Sequence, residues 1–148
     1  MIAASQPVLT LEQPDRLASQ LKGDVIVCGW NMETYFYEYA AARMLSVARR
    51  NLLRVRYQKL DEANLFWSKP ANTEICTCEL QEILGSDGHW RRADTLKPGD
   101  RLQHWCGNGH DAEVKAVEQL GEGDCVSVAV KKIGTITVGG LILKVEEE

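Results

Sequence analysis

Residues 15–30, "DRLASQLKGDVIVCGW", and residues 90–105, "WRRADTLKPGDRLQHW", state nearly the same phrase about 75 residues apart. Arg16 falls on Arg91, Ala18 on Ala93, Leu21 on Leu96 and Lys22 on Lys97. With Pro98 taken as an extra residue in the second copy, Gly23-Asp24 then falls on Gly99-Asp100. The phrase has a clear physical sense. A leucine anchors a turn to the core, and Gly-Asp supplies a tight reversal where φ can be positive. An alternating apolar run, Val25 and Val27 in one copy and Leu102 in the other, then enters a strand. Repetition of a turn-plus-strand unit restricts the chain to folds made of two copies of one supersecondary element.

The match continues downstream. Residues 41–58, "AARMLSVARRNLLRVRYQ", share an outline with residues 112–132, "AEVKAVEQLGEGDCVSVAVKK". Each is an alternating run, a polar break and a second alternating run, which predicts a hairpin. The expected fold is therefore all-β: one pseudo-twofold β-domain over residues 1–148, with halves of about 1–75 and 76–145 and an acidic tail at 146–148. One stretch dissents. "METYFYEYAAARMLSVARR" is rich in helix formers, and Asn31 could cap a helix there. The repeat requires strand at residues 42–47 at least, so the reading is strand, with a short helical turn near residues 33–40.

Composition narrows the function classes. The chain has 148 residues, 45% of them hydrophobic, and a net charge of −4, ordinary for a globular domain with its own core. The basic footprint of a nucleic-acid binder is missing, and the expectation is no nucleic-acid and no membrane partner. The one basic run, Arg43 through Arg56, interleaves with Leu, Val and Tyr and reads as a half-buried element with a solvated face. An odd count of 5 cysteines, no signal-type segment and no apolar run of spanning length point to a reducing, cytoplasmic place of synthesis. The chain is expected to begin near its mature start.

The cysteines and histidines offer two chemical readings. Cys76-x-Cys78 and Cys106-x3-His110, with His104 near, could converge on zinc, but Cys-x-Cys is tighter than the usual knuckle and has no second pair. Strand alternation instead puts Cys76 and Cys78 on one face as small packing residues. A thiol hydrolase would pair Cys106 or Cys28 with His104 or His110. No cofactor is called for. Among the aromatics, Leu65, Phe66 and Trp67 sit in a Pro- and Asn-containing loop, and Tyr35 and Tyr37 in "NMETYFYEY"; both are candidate partner anchors. Trp30, Trp67 and Trp105 along one groove would instead suit a carbohydrate.

In order and spacing, "MIAASQPVLT", "LASQLKGDVIV", "CTCELQ", "GHWRRADTLKPGDRL" and "TITVGGLILK" together resemble the Hint family, the Hedgehog/intein fold of self-processing domains. The resemblance runs over roughly residues 1–145. It implies a nucleophilic Cys or Ser at the first position, a Thr-x-x-His imidazole that protonates the departing amide nitrogen, and, in inteins, a terminal His-Asn pair. Carried onto this sequence, the nucleophile position falls on Met1 and the Thr on Thr77. The His position falls on Leu80 and the terminal pair on Lys144-Val145. Thr77 matches the family's threonine, but Met1, Leu80 and Lys144-Val145 cannot perform the family's chemistry. The resemblance therefore implies a non-catalytic member, kept for its shape. Such domains recur in bacteriophage, which suggests a virion, tail or baseplate component that contacts other structural proteins or a second copy of itself. The competing expectations are a Cys/His autoprocessing or hydrolytic enzyme, a zinc site and a carbohydrate-binding module.

Overall fold

The computed structural model describes residues 1–13, 16–22, 25–59, 72–104 and 111–148. Leu65, Phe66, Trp67, Trp105, Cys106 and His110 lie outside the described residues. In chain order the strands are β1 (Ile2–Ala3), β2 (Pro7–Val8), β3 (Arg16–Leu17), β4 (Val25–Asn31), β5 (Phe36–Lys59), β6 (Asn72–Cys78) and β7 (Glu82–Leu84). They continue as β8 (Trp90–Arg92), β9 (Arg101–Gln103), β10 (Asp111–Val130), β11 (Thr135–Val138), β12 (Leu141–Lys144) and β13 (Glu146–Glu147). The only helical pieces among the described residues are two single 3₁₀ turns, Ala18–Gln20 and Ala93–Thr95. The fold is all-β, as the repeat requires.

The repeated phrase forms the same object twice. Ala18 N–H donates to Gln6 O at 2.9 Å and Ala93 N–H to Gln81 O at 2.8 Å. Ser19 N–H reaches Ala4 O at 3.1 Å and Asp94 N–H reaches Glu79 O at 3.0 Å. Strand pairing repeats likewise, Val8↔Arg16 in one half and Ile83↔Arg91 in the other. So do the isolated bridges Thr10↔Val27 and Gly85↔Leu102. One constant offset relates all these pairs, which means that Pro98 is not an insertion: Asp100, rather than Arg101, stands where Val25 stands. Ala18 and Ala93 are both fully buried, and Leu21 and Leu96 anchor their turns at 3% and 6% exposure.

The downstream segments depart from expectation. Neither 41–58 nor 112–132 is a hairpin; 41–58 lies within β5 and 112–130 within β10, and the two strands pair antiparallel with each other. The polar breaks explain this. Arg49 faces Asp124, Arg50 faces Gly123 and Asn51 faces Glu122 across the ladder, so each break is held extended by the other. Gly121 takes φ 80° at one of the register shifts. The helical turn near residues 33–40 is absent as well. Phe36–Ala40 are extended, paired with β4, and cross-strand bonding overrides local propensity there. Asn31 does act as a cap, but of a hairpin turn: its Oδ1 accepts from Glu33 N–H at 2.9 Å and Thr34 N–H at 3.2 Å.

The Arg43–Arg56 run is strand, with its charges matched across the sheet. Arg54 and Arg56 meet Glu74 of β6 and Glu118 of β10 at 3.2–3.6 Å. The acidic tail is docked too. Glu146 and Glu147 pair in parallel with Ala129 and Val130, and Glu148 takes a bidentate pair from Arg43. The tail is thus part of the sheet, with the three glutamates themselves exposed.

The turn between β11 and β12 closes against Tyr57 of β5 and against His104. Gly139 and Gly140 hold φ 56° and 82°, and Tyr57 Oη donates to Gly139 O. A Cβ at Gly140 would lie 2.3 Å from His104 Nε2, whereas one at Gly88, also left-handed at φ 83°, would meet nothing within 4 Å. Urea denaturation should separate the two costs. Gly88→Ala is expected to lose about 1–2 kcal/mol from backbone strain alone, and Gly140→Ala about 2–5 kcal/mol because the clash adds to it.

Candidate functional site

The ends of the described chain meet at one buried side chain. Met1 lies at the start of β1, and Ile2 pairs with Thr77 of β6 on one side and Val126 of β10 on the other. Met1 N donates to Gln81 Oε1 at 2.7 Å, and Cys78 N–H donates to Met1 O at 3.1 Å. The Gln81 amide nitrogen donates onward to Lys144 O at 2.7 Å and Glu82 O at 2.9 Å. Gln81 is 2% exposed, and its carboxamide ties the first residue to the end of β12. Met1, Ser127, Lys144 and Val145 line a cavity of about 160 Å³ beside it.

The arrangement has a twin. Cys76 stands in the second half where Met1 stands in the first, and Cys76 N–H donates to Gln6 Oε1 at 2.7 Å. Gln6 Nε2 then reaches Pro7 O at 3.0 Å, as Gln81 reaches Glu82 O. Each half thus clamps the other half's strand with a glutamine. Sequence reasoning passed over both glutamines, although extending the aligned phrase backwards at the same offset pairs Gln6 with Gln81.

The candidate positions can now be placed. Met1, Lys144 and Val145 come together. Leu80 does not join them: it is 54% exposed, and the next residue, Gln81, reaches Met1 N. Thr77 is fully buried, its hydroxyl donating to Cys78 O at 3.0 Å. Burial holds the Met1 amino group below its ordinary range, with Cys78 and Cys125 opposing.

Four of the five cysteines and His104 lie among the described residues. Cys28, Cys78 and Cys125 are buried free thiols and Cys76 is half-buried. Burial pushes the Cys28 thiol up, against a hydrogen bond with Thr137 of β11, and pushes Cys125 up likewise. His104 packs against the Tyr57 ring at 6.0 Å and the Gly140 backbone. Among the described residues no group of three or more His, Cys, Asp or Glu side chains is disposed to hold a metal. Tyr35 projects at 68% exposure, and Tyr37 is half-buried edge-on to Trp30 at 4.7 Å.

No model of a known protein family matches the sequence, and no curated protein does. Solved structures match over nearly the full length. A DnaB intein from Synechocystis sp. PCC 6803 superposes with a TM-score of 0.71 at 13% identity, covering 98% of this chain and 97% of the intein. A bacterial intein-like domain from Clostridium thermocellum gives 0.68 at 16% identity, covering 98% and 97%. The gp41-1 intein gives 0.66 at 13% identity, covering 97% and 96%.

This is the intein-like Hint fold. Identity at this level establishes architecture alone. Within the Hint fold of this chain, the meeting of Met1, Gln81 and Lys144 is the place where the two halves and both ends of the described chain converge.

Two measurements test the geometry. Gln81→Ala leaves Met1 N and Lys144 O without partners and is expected to cost about 2–4 kcal/mol in chemical denaturation, while Leu80→Ser should cost under about 0.5 kcal/mol. For His104, burial and then the Lys59 charge hold the imidazole below its ordinary 6.5, against a Gly139 backbone hydrogen bond. Its neutral form is favoured by folding, so its contribution is fully present above pH 6.5 and is lost as pH falls below that value. Stability measured from pH 8 down to 5 should fall less steeply in His104→Asn than in the native protein.

Proposed function

We propose that this protein is a non-catalytic Hint-like module that acts through protein–protein contacts, in the setting of a phage particle such as a tail or baseplate. The observation that carries the reading is the chemistry at Met1. An acyl shift needs a thiol or hydroxyl at that position, and a thioether has no proton to lose and forms no thioester. The group against Met1 N is a carboxamide, which neither gives nor takes a proton near neutral pH. Lys144 and Val145 offer no side-chain amide for cyclisation. Gln81 also does for Met1 what Gln6 does for Cys76, a tie with no reaction behind it. The geometry further supports Gln81, rather than Leu80, as the position equivalent to the family's imidazole.

A reporter fused upstream of Met1 tests this. The fusion is expected to stay intact through overnight incubation with dithiothreitol or hydroxylamine, and thiol-dependent release at residue 1 would overturn the non-catalytic reading. The register of the site is tested in the same fusion. Met1→Cys with Gln81→His should release the reporter at least tenfold faster than Met1→Cys with Leu80→His. For the assembly reading, gel filtration of native lysate is expected to place the chain in a large particle; elution as a lone monomer would count against it.

A further inference from the structure

β5 and β10 pair with each other through the middle of the ribbon, but each has a second edge that is covered only toward its ends. On β5 that edge is taken by β4 up to Ala42 and by β6 from Leu52 onward. Just inside these limits, Met44 N–H donates to Leu21 O and Glu79 N–H donates to Asn51 O, both at 3.1 Å. Between those two bonds no strand pairs with this edge among the described residues. Strand backbone groups alternate in direction, so the N–H and C=O of Val47 and Arg49 point outward as those of Asn51 do. The Arg49 carbonyl is capped by the Arg50 guanidinium at 2.9 Å, which stands where a further strand would bring its donor.

β10 repeats the situation on the opposite side of the ribbon. Its second edge is taken by β9 as far as Glu113 and by β1 from Cys125. Gly99 N–H donates to Val114 O and Ala4 N–H to Asp124 O, both at 2.9 Å, and between them no strand pairs with this edge among the described residues. By the same alternation Glu122, two residues from Asp124, turns its backbone groups outward. Residues 45–47, 49–51 and 119–122 are all exposed.

The two open stretches carry opposite charge. Residues 45–51 contain Arg49 and Arg50 and no acid, whereas residues 116–124 contain Glu118, Glu122 and Asp124 and no base. Flanking charges leave this contrast in place. Lys22 follows Leu21 at one end of the β5 stretch and Glu79 meets Asn51 at the other, while Arg43 is held by Glu148 and Lys115 by Glu113. The faces match too. The pairs Arg49↔Asp124 and Asn51↔Glu122 put Arg49 and Glu122 on one face, and Arg50↔Gly123 and Arg54↔Glu118 put Arg50 and Glu118 on the other. Two β5 edges together would set arginine against arginine, and two β10 edges carboxylate against carboxylate. Unlike edges match.

We propose that the open stretch of β5 in one copy of this chain pairs with the open stretch of β10 in the next, extending the sheet from molecule to molecule. Antiparallel pairing across the seam, as within the ribbon, leaves successive copies in the same orientation, so the assembly is an open row. Arg49 then lies between its own Asp124 and Glu122 of the next copy. A seam of about six residues a side is short, which suits an assembly formed at high local concentration. The inference rests on the reading of the module as one that works by protein contacts, and it names the partner as a second copy.

Sedimentation equilibrium of the purified full chain tests it, from about 10 µM to about 1 mM. The average mass is expected to climb with concentration past that of a dimer, and association to weaken at least threefold between about 50 and about 300 mM salt. Val47→Pro removes an outward N–H from the β5 edge and leaves the ladder to β10 intact. Glu122→Lys sets a cation against Arg49 across the seam. Each variant alone is expected to stay monomeric, and an equal mixture to form a dimer and nothing larger, because one open edge of each kind remains. Arg49→Ser gives a second loss at the β5 edge without a backbone change, with association weakened at least fivefold. The proposal is overturned if the native chain stays monomeric to about 1 mM, if the variants associate as it does, or if the mixture stays monomeric or grows past a dimer. Filtration of native lysate reads assembly with any protein, so a monomer here leaves that result standing.

Discussion

The antiparallel ladder between β5 and β10 is the constraint on which everything else depends. It runs from Ala112↔Lys59 to Val130↔Ala42, and its two strands are equivalents from the two halves. The pairing is therefore nearly self-symmetric: Val117↔Val55 near one end mirrors Val130↔Ala42 near the other. Every strand of the larger sheet hangs on this ribbon, β4 and β6 on β5, and β1, β9 and β13 on β10. A slip of one residue would send Val55, Val126 and Val128 toward solvent and turn their neighbours inward. The register shifts absorb the ribbon's curvature without that cost, since a bulge re-aims a strand while keeping its buried face.

Much of this was legible because the phrase is repeated with its physics intact. Ala18 and Ala93 admit nothing larger, and Leu21 and Leu96 are anchors by position. The misreadings have physical causes. A polar break within an alternating run looks like a turn when the strand is considered alone. Here Arg49-Arg50-Asn51 is matched by the equally polar Gly121–Asp124 across the ladder, and a partner about 75 residues away leaves no local trace. The helix formers of residues 36–48 were outvoted in the same manner, by backbone bonds to β4 and β10. At the site, Met1 and Lys144-Val145 were singled out from the order of the motifs, and the structure brings them together around one cavity. Gln81 passed unnoticed beside Leu80, because a motif whose histidine is gone gives no anchor within "CTCELQ". The hydrogen bond to Met1 N supplies that anchor.

A glutamine is an apt occupant of such a junction. Its oxygen accepts from one strand while its nitrogen donates to two others, so Met1, Glu82 and Lys144 are all satisfied by one uncharged group. Buried charge would need compensation there, and an apolar side chain would leave strand ends orphaned. Gln6 meets the same need in the other half, which makes the pair a property of the architecture.

The exchange of edges between halves also bears on how the chain acquires its structure. β1, at residues 2 and 3, finds its ladder partners at Cys125 and Val126, and Met1 waits for Gln81. Loop closure of that length must precede any return from the contacts, so the first described strand in chain order is expected among the last to be placed. Until β10 exists, β5 keeps Leu53 and Val55 uncovered along one edge. Charge along an open strand edge opposes pairing with the same edge of another chain, and Arg49, Arg50, Arg54 and Arg56 give β5 that charge independently of the partners they meet once folded.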